Sequence, residues 1–163
     1  MDTVIKVGIA DMNTVRTPNT IRTTGLGSCV GVILFDSSQS LAGLAHIMLP
    51  DSSIAKHSQK INKGKFADTA IQELITRLIA AGSSQRKLKA KIAGGAEMFS
   101  FSTSNEMMRI GPRNVEAVKA ALRKENIQLI AEDTGGNSGR TIEFDPVTCI
   151  LQVRTVNKGI KEI

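Results

Sequence analysis

Two apolar runs, residues 30–36 and 41–49, lie almost end to end and are separated only by Ser37-Ser38-Gln39-Ser40. Runs of this length bounded by small polar residues read as two strands joined by a hairpin. Neither run approaches the ~20 residues needed to cross a bilayer, so the hairpin must be buried by the rest of the chain. The flanking sequence supplies the partners. Residues 3–9 alternate, with Ile5, Val7 and Ile9 on one face, as a half-buried strand does. Residues 11–24, rich in Thr, Asn and Arg, read as a loop with at most a short strand, and residues 51–62 as a polar loop. Residues 63–81 carry a stripe of Phe66, Ala67, Ala70, Ile71, Leu74, Ile75, Leu78 and Ile79 that predicts a helix stopped by Gly82. A strand over 88–92 places Lys89 and Lys91 outward. A second helix over 113–125 follows Pro112, with Val115, Val118 and Leu122 inward. A strand over 127–132 and a hairpin of 140–144 with 148–156 about Asp145-Pro146 complete an α+β pattern, helices packed outside sheets.

Composition narrows the function classes. The 163 residues, 41% of them hydrophobic, are one domain's worth and can sustain a core without disulfides or metals. No apolar h-region follows Asp2, so a soluble, cytoplasmic chain forming a single domain over 1–163 is expected. Cys29 and Cys149 form no C-x-x-C pair, so neither a zinc site nor any other metal is expected, and the cytosol would keep both thiols reduced. The net charge of +6 raises the question of nucleic acid. Aromatic residues make up only 3%, with no Trp or Tyr, and none interleave with the basic residues to stack on bases. No nucleic acid partner is expected. The charge suits an acidic protein partner or an ordinary solvated surface.

The chemistry concentrates in Gly25-Leu26-Gly27-Ser28-Cys29-Val30-Gly31. A dinucleotide fingerprint would need Gly where Val30 stands and a helix where a strand follows, so no nucleotide cofactor is expected. The stretch instead reads as a glycine-permitted turn that presents Cys29 at the lip of a sheet. Backbone N–H groups around Gly27 and Ser28 are then available to an oxyanion. If residues 37–40 close a symmetric hairpin, residue 36 faces 41 and Cys29 faces Met48. His46, two residues from Met48, then shares the face of Cys29, and such diagonal neighbours lie about 7 Å apart at Cα. A one-residue slip would reverse that face. An imidazolium beside a thiol raises the thiolate fraction, and the same ring can protonate a leaving group. Thr23 or Thr24, just before the turn, can orient the ring. His57 sits in the polar loop with no positional link to either thiol, and Cys149 reads as a small structural residue. Residues 133–140 read as a hairpin turn rather than a phosphate loop, since no Lys-Ser/Thr ending follows. Arg86, Lys87, Lys89 and Lys91 read as a solvated strand face.

Several blocks in order carry a resemblance. They are Thr23 through Val32, His46-Ile47-Met48-Leu49-Pro50, Lys91 through Phe99, Ile110-Gly111-Pro112-Arg113-Asn114-Val115, and Ala131 through Asp145. Together they resemble the CheD family of chemoreceptor glutamine deamidases over nearly the whole chain. The family's catalytic Cys, His and Thr match Cys29, His46 and Thr23, the Thr standing six residues before the Cys. Thr148-Cys149 stands where relatives often carry Thr-Gly. The resemblance implies a layered sandwich of mixed and antiparallel β-sheets with outer helices, shared with some bacterial toxin deamidases. It implies a cysteine hydrolase converting receptor glutamine to glutamate through a thioester, with methylesterase activity alongside. The implied partners are the cytoplasmic helices of chemotaxis receptors and the phosphatase CheC, so any membrane association runs through receptors. Two other classes fit the residues: a non-catalytic regulator of CheC or of receptors, and a thiol redox sensor cycling Cys29 through sulfenic acid.

Overall fold

A computed structural model describes residues 3–55, 60–98 and 109–163. In order the elements are β1 (Val4–Val7), β2 (Met12–Arg16), β3 (Thr20–Leu26), β4 (Val30–Asp36), β5 (Leu41–Ile47), α1 (Ala67–Ala80), β6 (Lys89–Gly94), α2 (Ile110–Lys124), β7 (Gln128–Thr134), β8 (Arg140–Asp145), β9 (Ile150–Thr155) and β10 (Gly159–Glu162). The strands form two five-stranded sheets, ordered β1-β3-β8-β9-β10 and β2-β5-β4-β6-β7. Both are mixed, because β1 pairs with β3 and β6 with β7 in parallel while the other pairings are antiparallel. The architecture is α+β and layered.

The β4–β5 hairpin is the middle layer. Every residue of both strands is buried, which is why their sequence is apolar, apart from Asp36 and His46, instead of alternating. On one face Val30, Val32, Leu34, Leu41, Ala45 and Ile47 pack against Ile71, Leu74 and Leu78 of α1 and Val115, Val118 and Leu122 of α2. On the other, Ile33, Phe35, Ala42 and Leu44 meet Ile21, Leu26, Ile142, Phe144, Leu151 and Val153 of the second sheet. Each such side chain contributes about 1.5–3 kcal/mol on leaving water. With both faces filled, a register slip would misplace all of them at once. The register is Asp36 with Leu41 through Val30 with Ile47, as the symmetric hairpin requires. Asp36 fixes the turn by accepting from Ser38 N–H at 3.0 Å and Ser38 Oγ–H at 2.6 Å.

The structure departs from the sequence reading in several places. Residues 133–140 close no hairpin, because β7 and β8 belong to different sheets, and the last strand, β10, is absent from that reading. Residues 11–24 hold two strands, β2 and β3, whose buried positions include Met12, Val15, Ile21 and the polar Thr23 between exposed Asn, Thr and Arg side chains. The first helix begins at Ala67 and not at 63, because the chain before it is claimed by other partners. Lys65 C=O accepts from the N–H groups of Met48 and Leu49, and Leu49 pairs with Phe66. The second helix starts at Ile110, with Pro112 in the first turn, where a missing N–H costs nothing. Lys91 does not point to solvent. It is 8% exposed and donates from Nζ to Cys149 C=O at 2.5 Å and Ile163 C=O at 2.9 Å, above the Phe35 ring. The parity of β6 forces this, since Ala90 and Ile92 face the helices and send Lys91 between the sheets. Among the described residues no helix is long and apolar enough to cross a membrane.

Candidate active site

His46, near the end of β5, is wholly buried and points across the inter-sheet layer to Thr23 of β3. Thr23 Oγ1 lies 2.7 Å from His46 Nδ1 and 2.7 Å from the carbonyl of Val7. A hydroxyl has one proton, and a carbonyl can only accept. Thr23 therefore donates to Val7, and its lone pair accepts from His46 Nδ1–H. That settles the tautomer of the neutral ring: Nδ1 carries the proton and Nε2 is the bare nitrogen. Nε2 is buried and has no hydrogen-bond partner among the described residues. Thr24, the next residue, is exposed.

Cys29 sits in the short segment between β3 and β4. Gly25, with φ +72°, allows β3 to break register at a bulge and turn into this segment. The three carbonyls that follow are all held from below. Gly27 C=O accepts from Ala96 N–H at 2.9 Å, Ser28 C=O from Asn114 Nδ2 at 2.9 Å, and Cys29 C=O from Gly95 N–H at 2.8 Å. The close approach here needs Gly94, where a Cβ would fall 2.3 Å from the Cys29 carbonyl oxygen. Gly27 N–H is spent on Gly25 C=O at 3.1 Å. No hydrogen bond engages the N–H of Ser28 or Cys29 among the described residues. The segment thus turns its carbonyls inward and leaves two adjacent donors unused. The Cys29 side chain is part-exposed and packs against the apolar cluster between the two sheets.

Burial works against an ion pair at rest. It raises the Cys29 thiol above its ordinary range and lowers His46 below the usual imidazole value. Both shifts favour the neutral form of the group concerned.

A model of the family described as CheD chemotactic sensory transduction matches residues 48–155. The chain is 58% identical to the chemoreceptor glutamine deamidase CheD of Halalkalibacterium halodurans over 163 residues, covering 100% of both chains. It is 57% identical to the protein of the same name from Bacillus subtilis, over 98% of this chain and 96% of that one. The chain belongs to the CheD family. A solved structure of a Neisseria meningitidis protein of the DUF152 family model superposes with a TM-score of 0.49 at 10% identity, over 82% of this chain and 64% of the other.

The matched span of the CheD model leaves out Thr23, Cys29 and His46, while the full-length CheD relatives extend across them. Of the residues singled out in the sequence, Thr23 and His46 meet directly and Cys29 shares their layer. Ser28 offers a free N–H, whereas Gly27 shapes the turn with its own N–H occupied. His57 lies outside the described residues. Cys149 lies in the β8–β9 turn, with φ +58°, a conformation that glycine favours, and also packs against the inter-sheet cluster. Sequence reading missed Asn114, a polar residue on the buried face of α2, and Met98, whose side chain covers Gly27. A cleft of about 640 Å³ is lined by Pro50, Glu97, Arg109, Pro112, Arg113 and Glu116, of which Glu97 and Arg113 are next in sequence to Ala96 and Asn114, the residues that bond the carbonyls of Gly27 and Ser28.

Proposed function

We propose that this chain is a protein-glutamine deamidase of chemotaxis receptors, with Cys29 as nucleophile, His46 as general base and acid, and Thr23 as the group that orients the ring. The observation that carries this reading is the forced tautomer: Thr23 can only accept from Nδ1–H, so Nε2 is a bare base in the layer that holds Cys29. The names borne by the relatives point to the same activity.

The proposed reaction runs in these steps. A glutamine side chain of a receptor's cytoplasmic helix, approaching by the cleft beside Pro50 and Arg113, presents its carboxamide to Cys29. Sγ attacks the carboxamide carbon while its proton passes to His46 Nε2. The free N–H groups of Ser28 and Cys29 receive the developing oxyanion. As the imidazolium forms, Thr23 continues to accept from Nδ1–H, so the ring need not reorient. Nε2–H then protonates the departing nitrogen, releasing ammonia and leaving a thioester on Cys29. Water, deprotonated by Nε2, hydrolyses the thioester to glutamate and restores the thiol. A receptor methyl ester would follow the same path with methanol leaving. Burial of Cys29 and of His46 favours their neutral forms, which accords with transfer of the thiol proton during attack. CheC is the proposed protein partner, and a cytoplasmic location follows from the substrate.

The test is mass spectrometry of a receptor cytoplasmic fragment after incubation, with ammonia measured in parallel. Conversion of glutamine to glutamate by the wild type and by Cys149→Ser, lost in Cys29→Ala, supports the reading. Binding of the fragment with no conversion would make the chain a regulator without turnover.

A further inference from the structure

Asn114, on the inner face of α2, is 0% exposed, and its carboxamide joins two segments of chain that no backbone bond connects. Nδ2 donates to Ser28 C=O at 2.9 Å and to Met48 C=O at 2.9 Å. Ser28 precedes Cys29, and Met48 follows His46 by two residues. The β4–β5 ladder ends at Val30 with Ile47. Beyond that point Met48 N–H turns away to Lys65 C=O, so the strands that carry the nucleophile and the base face each other with carbonyls. Two acceptors cannot form the next rung. A single nitrogen with two N–H bonds on a short stem can, and Asn is the side chain that brings one to this depth. Oδ1 is left buried and without a partner among the described residues, a cost the fold carries to keep Nδ2 in place.

We propose that Asn114 is a positioning residue of the reaction: it sets the gap between the Cys29 segment and the His46 strand, and so the approach of Sγ to Nε2. The proposal rests on the deamidase reading above, in which that proton transfer starts the chemistry. The Asn114 carboxamide bonds to two backbone carbonyls, and Asn114 is not itself among the residues lining the cleft.

The experiment compares the full chain with Asn114→Ala and Asn114→Ser, all in a Cys149→Ser background, at a temperature where each is folded by near-ultraviolet circular dichroism. Ammonia release from a receptor fragment gives kcat and KM. Alkylation of Cys29 by iodoacetamide, with and without His46→Ala, gives a double-mutant cycle that needs no substrate. Asn114→Ala should lower kcat about 100-fold with KM within about twofold, the cost of a misplacement near 1 Å. Asn114→Ser, which keeps one donor, should fall between. Asn114→Ala should slow alkylation, and adding His46→Ala should slow it no further, because both changes would remove the same transfer of the thiol proton to Nε2. If Asn114→Ala does not fold, Asn114→Ser is judged by the same criteria. A folded variant with unchanged kcat, or alkylation losses that multiply with His46→Ala, would overturn the proposal. A wild type that makes no glutamate would fail the deamidase reading, while the alkylation cycle would still decide the role of Asn114.

Discussion

Replacing Thr23 by valine keeps the shape of a buried side chain and removes one hydroxyl. That hydroxyl makes two bonds, each 2.7 Å, one to Val7 C=O and one to His46 Nδ1. Losing it strands Nδ1–H of a fully buried ring, at about 1–3 kcal/mol, and weakens the satisfaction of Val7 C=O by a smaller amount. A total near 2–4 kcal/mol corresponds to a fall in Tm of about 5–15 °C for a chain of this size. The effect on rate has a separate origin. Without an acceptor at Nδ1, the neutral ring is free to carry its proton on Nε2, the atom that must receive the thiol proton. General acid–base catalysis contributes about 10²–10⁴-fold, so kcat should drop within that range while KM for a receptor fragment holds. Scanning calorimetry and ammonia release, the latter well below the lowered Tm, measure the two effects independently. Thr23→Ser should retain most of the activity, and Thr24→Val, at an exposed position, should change stability by no more than about 0.5 kcal/mol. A Thr23→Val protein with lowered Tm but kcat within threefold of wild type would refute the argument that the tautomer governs turnover.

Three further outcomes follow from the same geometry. Burial lowers the His46 pKa, and the active form is the neutral ring, so the acid limb of kcat/KM should have its midpoint below the ordinary imidazole value of about 6.5, and a midpoint above it would show a carboxylate partner instead. Gly94→Ala places a Cβ 2.3 Å from the Cys29 carbonyl oxygen at a φ of +112°, so it should abolish ammonia release even where circular dichroism shows a folded protein. With a net charge of +6, association with an acidic receptor helix should weaken as salt rises from about 0.05 to 0.5 M, where the Debye length contracts from roughly 14 to 4 Å, while saturated turnover stays nearly constant in stopped-flow and steady-state assays.

The parts of this fold that are legible in the sequence are those where packing and pattern agree. The β4–β5 runs are apolar at every position but Asp36 and His46 because both faces are covered, and their short polar link leaves one symmetric register, which runs from Asp36 with Leu41 to Val30 with Ile47 and stops one pair short of Cys29 and Met48. Residues 11–24 hide two strands because the exposed face of each is Thr, Asn or Arg, and one buried position is Thr23, whose inward side is explained only by a histidine 23 residues away. Lys91 misleads for the opposite reason. A lysine in an alternating strand ordinarily marks the solvent face, but here two backbone carbonyls and an aromatic ring take the ammonium into the interior. Asn114 leaves no local trace at all, since its partners lie 86 and 66 residues away. The oxyanion donors follow the same rule: a glycine-rich turn announces free N–H groups, but only the contacts beneath it show that Gly27 is occupied while Ser28 and Cys29 are not.

The central claim is that glutamine is attacked by Cys29 and passes through a thioester on that residue. Acid-quenched mixtures of the full chain and a receptor fragment, resolved by intact-protein mass spectrometry and peptide mapping, test it most directly. A covalent adduct should appear, equal in mass to the two chains less ammonia, mapped to Cys29 and cleaved by hydroxylamine. It should be absent in Cys29→Ala and unaffected in Cys149→Ser. Glutamate formed by Cys29→Ala, or an adduct mapped to any other residue, would contradict the account.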